Sequence, residues 1–102
     1  MTGGAAVKGK ATEVADVQVL CINKRDRDSR NEGITHLGGS SWKWTRDQVI
    51  RSIETKTNTF FTRVNGNRSE IGVVNGPTGK YVRTYADGKW NDNLLALMEC
   101  AA

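Results

Sequence analysis

The side chains of this chain that could do chemistry are few and poorly spaced for it. His36 is the only histidine, so any Ser-His-Asp or Cys-His relay must run through it. Its neighbours, Gly33-Ile34-Thr35-His36-Leu37, read as a short strand, which makes it a half-buried or edge histidine. The Gly38-Gly39-Ser40-Ser41 run that follows lacks the strand-to-helix elbow of a serine nucleophile. A metal site would have to gather Cys21, His36, Cys100 and a carboxylate without any of the paired spacings that zinc ligands use. Asp87 and Asp92 are close enough for paired-carboxylate work, but a turn aspartate and a helix cap account for both. The glycine-serine run also lacks the spacing of a phosphate loop, and Thr45 already occupies amide donors at the next helix start. The expectation is a protein that is not an enzyme, with no cofactor and no metal.

Binding chemistry is better represented. Phe61 and Arg63 line up with Tyr81, Arg83 and Tyr85 if Val82 points inward. Aromatics interleaved with arginines suit a single-stranded nucleic acid, with rings to stack bases and cations to meet phosphates. The competing arrangement, commoner in small sheets, turns Tyr81 and Tyr85 inward and holds Arg83 on Asp87 or Asp92 as an ion pair. Lys24, Arg25 and Arg27 sit in a mixed-charge loop that is either a phosphate contact or, more commonly, a solvated hairpin tip. Net charge is +4, a mild lean toward acidic partners. Strand edges, or exposed Trp42 and Trp90, give the alternative: a protein-interaction or accessory domain.

The elements that must carry these residues centre on one helix. Thr45 and Gln48 form a capping box, Trp44 and Val49 the matching staple, and Asp47 lies in the first turn. Val49, Ile50 and Ile53 share a face that should cover Phe60, Ile71 and Val73. Residues 1–16 read as a disordered tail and 17–100 as a single domain. Val17–Ile22 reads as one strand, apolar on both faces, antiparallel to Gly33–Leu37, with Gly38–Ser41 a flexible joint. Thr59–Val64 and Ser69–Val74 flank Asn65-Gly66-Asn67-Arg68. A two-residue loop there sets Arg63 opposite Arg68, so a four-residue loop, which sets Arg63 opposite Glu70, is preferred. Lys80–Tyr85 is the fifth strand, turned out of the sheet by Asp87-Gly88, and Asp92 caps a helical segment from Asn93 to Met98. The sum is an α+β protein of order β-β-α-β-β-β, a mostly antiparallel sheet packed by one helix, with a short C-terminal helical turn.

Cys21 and Cys100 are far apart in sequence. Reduced thiols in a cytoplasm are the plain expectation, with a disulfide open but unforced. No apolar run approaches the length that crosses a bilayer.

The stretch Tyr81-Val82-Arg83-Thr84-Tyr85-Ala86-Asp87-Gly88, continuing to Asp92-Asn93-Leu94-Leu95 and Leu97, resembles the C-terminal signature of a family of small bacterial proteins. That family is domain of unknown function (DUF) 3892, whose pattern runs Tyr-Ile-Arg-Thr, Ala-Asp-Gly, Asp-Asn-Leu-Leu and a final Leu-Pro. Met98 stands where the family carries proline. The resemblance supports the fold and implies no reaction. Short polar side chains at a strand end, a turn and a helix start suit local backbone bonding. Thr84, Asp87, Asp92 and Asn93 are therefore expected to bind one another or backbone amides as a clasp, delivering Leu94, Leu95 and Leu97 into the core.

Overall fold

The computed structural model describes residues 15–101. Among the described residues there is one α-helix, α1 (Arg46–Glu54), capped by Thr45 as the sequence requires. The Gln48 amide donates to the Thr45 hydroxyl at 3.2 Å and the Thr45 amide to the Gln48 side chain at 2.8 Å. Val49 and Ile50 are buried and Ile53 packs beside them, so the apolar face reads correctly.

Around this helix the chain is mainly β, in two sheets rather than one. The strands are β1 (Ala15–Gln18), β2 (Cys21–Lys24), β3 (Ile34–Gly38), β4 (Lys43–Thr45), β5 (Asn58–Val64), β6 (Asn67–Gly76), β7 (Gly79–Ala86), β8 (Lys89–Asn91) and β9 (Met98–Glu99). Short 3-10 turns, Asn31–Gly33 and Asn93–Ala96, precede β3 and β9. One sheet runs β9-β2-β3-β4 and the other β1-β5-β6-β7-β8. The helix packs against strands of both. The core is their shared interior: Val19, Ile22, Ile34, Leu37, Val49, Ile50, Phe60, Ile71, Val82 and Leu94.

The expected single first strand is divided between the sheets. The Val19 amide donates to Phe61 O in one sheet and the Leu20 amide to Gly38 O in the other, both at 2.8 Å. The apolar run that suggested a strand covered on both faces is a chain crossing from sheet to sheet, with Val19 buried at the crossing. Ala15 and Asp16, expected in the tail, belong to β1, which pairs parallel with β5. The rest of the expected tail lies outside the described residues.

Two expected joints are hairpins. The Gly39 amide donates to Trp42 O at 2.9 Å, closing Gly39–Ser41 into a turn that brings β4 back along β3. A side chain at Gly39 would collide with the Trp42 indole, so glycine is needed there for close approach rather than for flexibility. Asp87 and Gly88, at φ 55° and 77°, likewise return the chain into the sheet as β8 instead of ending it.

The β5–β6 hairpin uses the two-residue loop. Asn65 and Gly66 take φ 53° and 80°, as the primed turns require, and Arg63 does face Arg68. The expected repulsion is met by acids. Arg68 bonds Glu70 at 2.6 Å and Asp16 at 2.8 Å, and Asp16 arrives on β1, a strand absent from the sequence-based reading.

The expectation of reduced cysteines is also corrected: Cys21 and Cys100 are joined, with Cα atoms 4.8 Å apart. The parallel strand β9 lies on the edge of β2 with Met98 opposite Cys21, and that brings the C-terminal cysteine home.

Candidate binding face

Strand alternation sorts the five-stranded sheet into two faces. Phe60, Thr62, Ser69, Ile71, Val82 and Thr84 are buried inward. The reverse face carries Phe61, Arg63, Arg68, Glu70, Tyr81, Arg83 and Tyr85. Register places Phe61, Glu70, Tyr85 and Trp90 in one row across β5, β6, β7 and β8. Tyr81 and Tyr85 therefore point outward, against the commoner arrangement, because Val82 and Thr84 take the inner positions.

Glycine makes this face flat where the rings lie. Tyr85 and Trp90 meet edge to face, with centroids 5.4 Å apart, over Gly72, where an added Cβ would come within 3.0 Å of the tyrosine ring. Tyr81 likewise covers Gly76. Tyr85 and Trp90 remain 39% and 47% exposed. Phe61 is less available, because the Arg68 guanidinium lies 4.0 Å above its ring centre.

The cations of the face are largely engaged. Arg83 donates to Asn91 O and to Asp92, both at 3.2 Å, and the other Asp92 oxygen receives Arg30 at 2.9 Å. The sequence-based ion pair of Arg83 with Asp92 is present, while Asp87 takes no part in it. Arg63 makes no ion pair among the described residues. Arg68 and Trp90 complete the face and were not assigned to it from sequence. Only the correct hairpin register and the presence of β8 place them there.

Asp16 ties β1 into this face through the Thr59 hydroxyl at 2.8 Å and Arg68. Partial burial pushes its pKa up, but the Thr59 and Arg68 bonds outweigh it and hold the carboxyl below its ordinary 3.8. A depressed folded pKa contributes stability that is present above the unfolded value and lost as pH falls through the folded one. Asp16→Asn is expected to lower the thermal midpoint slightly at neutral pH, with the difference shrinking as pH falls through the carboxyl's lowered folded range. Thermal melts of the two proteins across that range check this.

Lys24, Arg25 and Arg27 lie elsewhere. They line a surface cleft of about 400 Å³ with Asp26, Ile22, Leu95, Leu97 and Glu99, to which no residue of the aromatic face contributes. The Lys24 ammonium is spent on Arg27 O at 2.9 Å, a bond within the hairpin tip. His36 is half-buried with Nδ1 3.0 Å from the Thr35 hydroxyl. Among the described residues no three His, Cys, Asp or Glu side chains gather as a metal site would require.

The clasp differs in membership from its expectation. The Thr84 hydroxyl donates to the Asn91 side-chain oxygen at 2.6 Å and accepts from the Leu94 amide at 3.2 Å. That Asn91 oxygen also accepts from the Asn93 amide at 3.0 Å. The side-chain amides of Asn91 and Asn93 both donate to the Ser69 hydroxyl, at 3.1 and 2.9 Å. Asp92 makes no cap bond, because Arg30 and Arg83 hold its carboxylate. Asp87 serves the β7–β8 turn instead. Ser69 and Asn91 are the members missed: Ser69 shares the inner face with Ile71, and Asn91 joins it only through β8. Thr84→Val keeps the shape but orphans the buried Leu94 amide, and the expected cost is about 1–3 kcal/mol in chemical denaturation. Thr84→Ser should retain most of that stability.

No curated protein and no solved structure matches the chain. The family model described as protein of unknown function (DUF3892) matches residues 18–98, a span that runs from the end of β1 to the start of β9 and takes in both sheets, the helix and the clasp. The chain belongs to the DUF3892 family.

Proposed function

We propose that the protein is a non-enzymatic binding module and that the outer face of its five-stranded sheet receives a single-stranded nucleic acid. The observation that carries this reading is the exposed Tyr85–Trp90 pair over Gly72, in one row with Phe61 and flanked by Arg83. Adjacent rings on a flat sheet offer stacking surface to successive bases, and arginines beside them meet the phosphates. Arg63, without an acidic partner among the described residues, supplies the least encumbered charge. The test is an oligonucleotide titration at several salt concentrations, in which affinity falls with salt as counterions are released.

A protein partner on the same face is the second reading. It is favoured by Asp16, Glu70 and Asp92, which neutralise Arg68 and Arg83 and leave an aromatic patch of balanced charge. Such a contact would show little salt dependence. No helix of the described chain is long and apolar enough to cross a membrane.

A further inference from the structure

We infer that the Cys21–Cys100 bridge is a thiol–disulfide exchange site whose reduction by a dithiol releases β9 from the edge of β2. Three independent features of the structure converge on it.

The first is access. The bridge borders a surface depression of about 340 Å³ walled by Gly39, Ser40, Ser41, Trp42 and Lys43. Both cysteines line it, Cys21 partly exposed and Cys100 buried, so Cys21 is the less covered of the two toward an incoming thiolate.

The second is the row across the sheet beneath it. Cys21 faces Gly38, and Gly38 faces Lys43. A Cβ on Gly38 would lie 3.0 and 3.1 Å from the two sulfurs, so the missing side chain opens the space in which the bridge sits. It also leaves Lys43 on the same face as Cys21, with its ammonium 3.4 Å from Ala101 O just beyond Cys100. A cation so placed favours a departing thiolate.

The third is how little else holds the segment. The strand β9 is two residues long and parallel, with Met98 73% exposed. Beyond the strand pairing, the Cys100 amide donates to Ile22 O at 3.0 Å, and the Asn23 side chain reaches Cys100 O at 3.4 Å. Without the bridge, the pairing of two residues and these few bonds are what holds the segment to β2.

The exchange balances without any further reactant. A dithiol's thiolate attacks Cys21 Sγ, the S–S bond breaks, and its electron pair leaves on Cys100 Sγ, which takes a proton from water. The dithiol's second sulfur then attacks the mixed disulfide, releasing Cys21 as the thiol. Two electrons and two protons pass to the protein, and the dithiol becomes a disulfide. Departure of β9 uncovers the Cys21–Ile22 edge of β2 and leaves its amides and carbonyls unpaired. It also removes Glu99, one wall of the cleft beside that edge.

The test is dithiothreitol reduction of the full chain in native buffer, followed by hydrogen exchange. The expected result is reduction without denaturant. The Cys100 amide, released from Ile22 O, then loses protection while those of Phe60 and Val82 keep theirs. Lys43→Gln should reduce several-fold more slowly at an unchanged thermal midpoint. Reduction only after denaturant is added, or collapse of Phe60 and Val82 protection together with that of β9, would identify the bridge as a plain structural staple and overturn the inference. So would a β9 that stays protected after reduction.

Discussion

Phe60→Ala is expected to lose about 3–5 kcal/mol of stability, the usual range for a buried aromatic truncated to alanine. The side chain is almost wholly buried on β5. Its ring centre lies 6.1 Å from those of both Trp42 and Trp44. Those tryptophans belong to the β3–β4 hairpin of the other sheet, and the helix packs against β5 itself. The cavity left behind therefore lies between β5 and two other elements, the β3–β4 hairpin and the helix, and poor collapse is what makes such cavities costly. Phe60→Leu, which fills part of the space, should lose markedly less. Urea unfolding of the three proteins measures the difference. A loss below about 1 kcal/mol for the alanine variant would mean the two sheets do not share one interior.

Leu94→Ala comes next, with an expected loss of about 2–5 kcal/mol. Leu94 is fully buried, and its backbone amide is fixed by the Thr84 hydroxyl, so the side chain is delivered from a point the clasp holds still. A 3-10 turn of four residues has little freedom to re-aim a neighbour into the gap. Leu95 and Leu97 only pack against the core's margin, so Leu95→Ala should cost clearly less. Equal losses at Leu94 and Leu95 would show that the turn is seated otherwise than described.

What was legible in the sequence was local. The capping box of α1, its buried face and the existence of the β5–β6 hairpin depend on residues a few positions apart and were readable from spacing, whereas the register of that hairpin was not. What failed depended on partners distant in sequence. The run Val17–Ile22 looked like one strand because periodicity reports burial but not which sheet does the burying. Arg63 opposite Arg68 looked unfavourable because Asp16, which lies beside Arg68 only through β1, could not be counted. The cysteines looked independent because the two-residue strand that brings them together has no sequence pattern of its own.

The site divided along the same line. Phe61 and Arg63 were readable as the reverse of the Phe60 face, whereas Tyr81 and Tyr85 were expected inward, and only the pairing of Val82 with Val73 turns them out. Trp90 joined them only because Asp87-Gly88 folds the chain back into the sheet. Asp92 looked like a cap because aspartate before a helical turn commonly is one, yet two arginines, one of them far back in the chain at Arg30, claim its carboxylate.

Binding of a single strand by the proposed aromatic–arginine face is measured by fluorescence anisotropy with a labelled oligonucleotide. The wild-type protein, Tyr85→Ala and Trp90→Ala would each be titrated at low and moderate salt. Loss of a stacked base is worth about 1–3 kcal/mol, so each variant, still folded at the titration temperature, should bind roughly 5- to 150-fold more weakly. Wild-type affinity should fall steeply as salt rises. No binding by the wild-type protein at low salt, or binding that neither substitution weakens, would contradict the account.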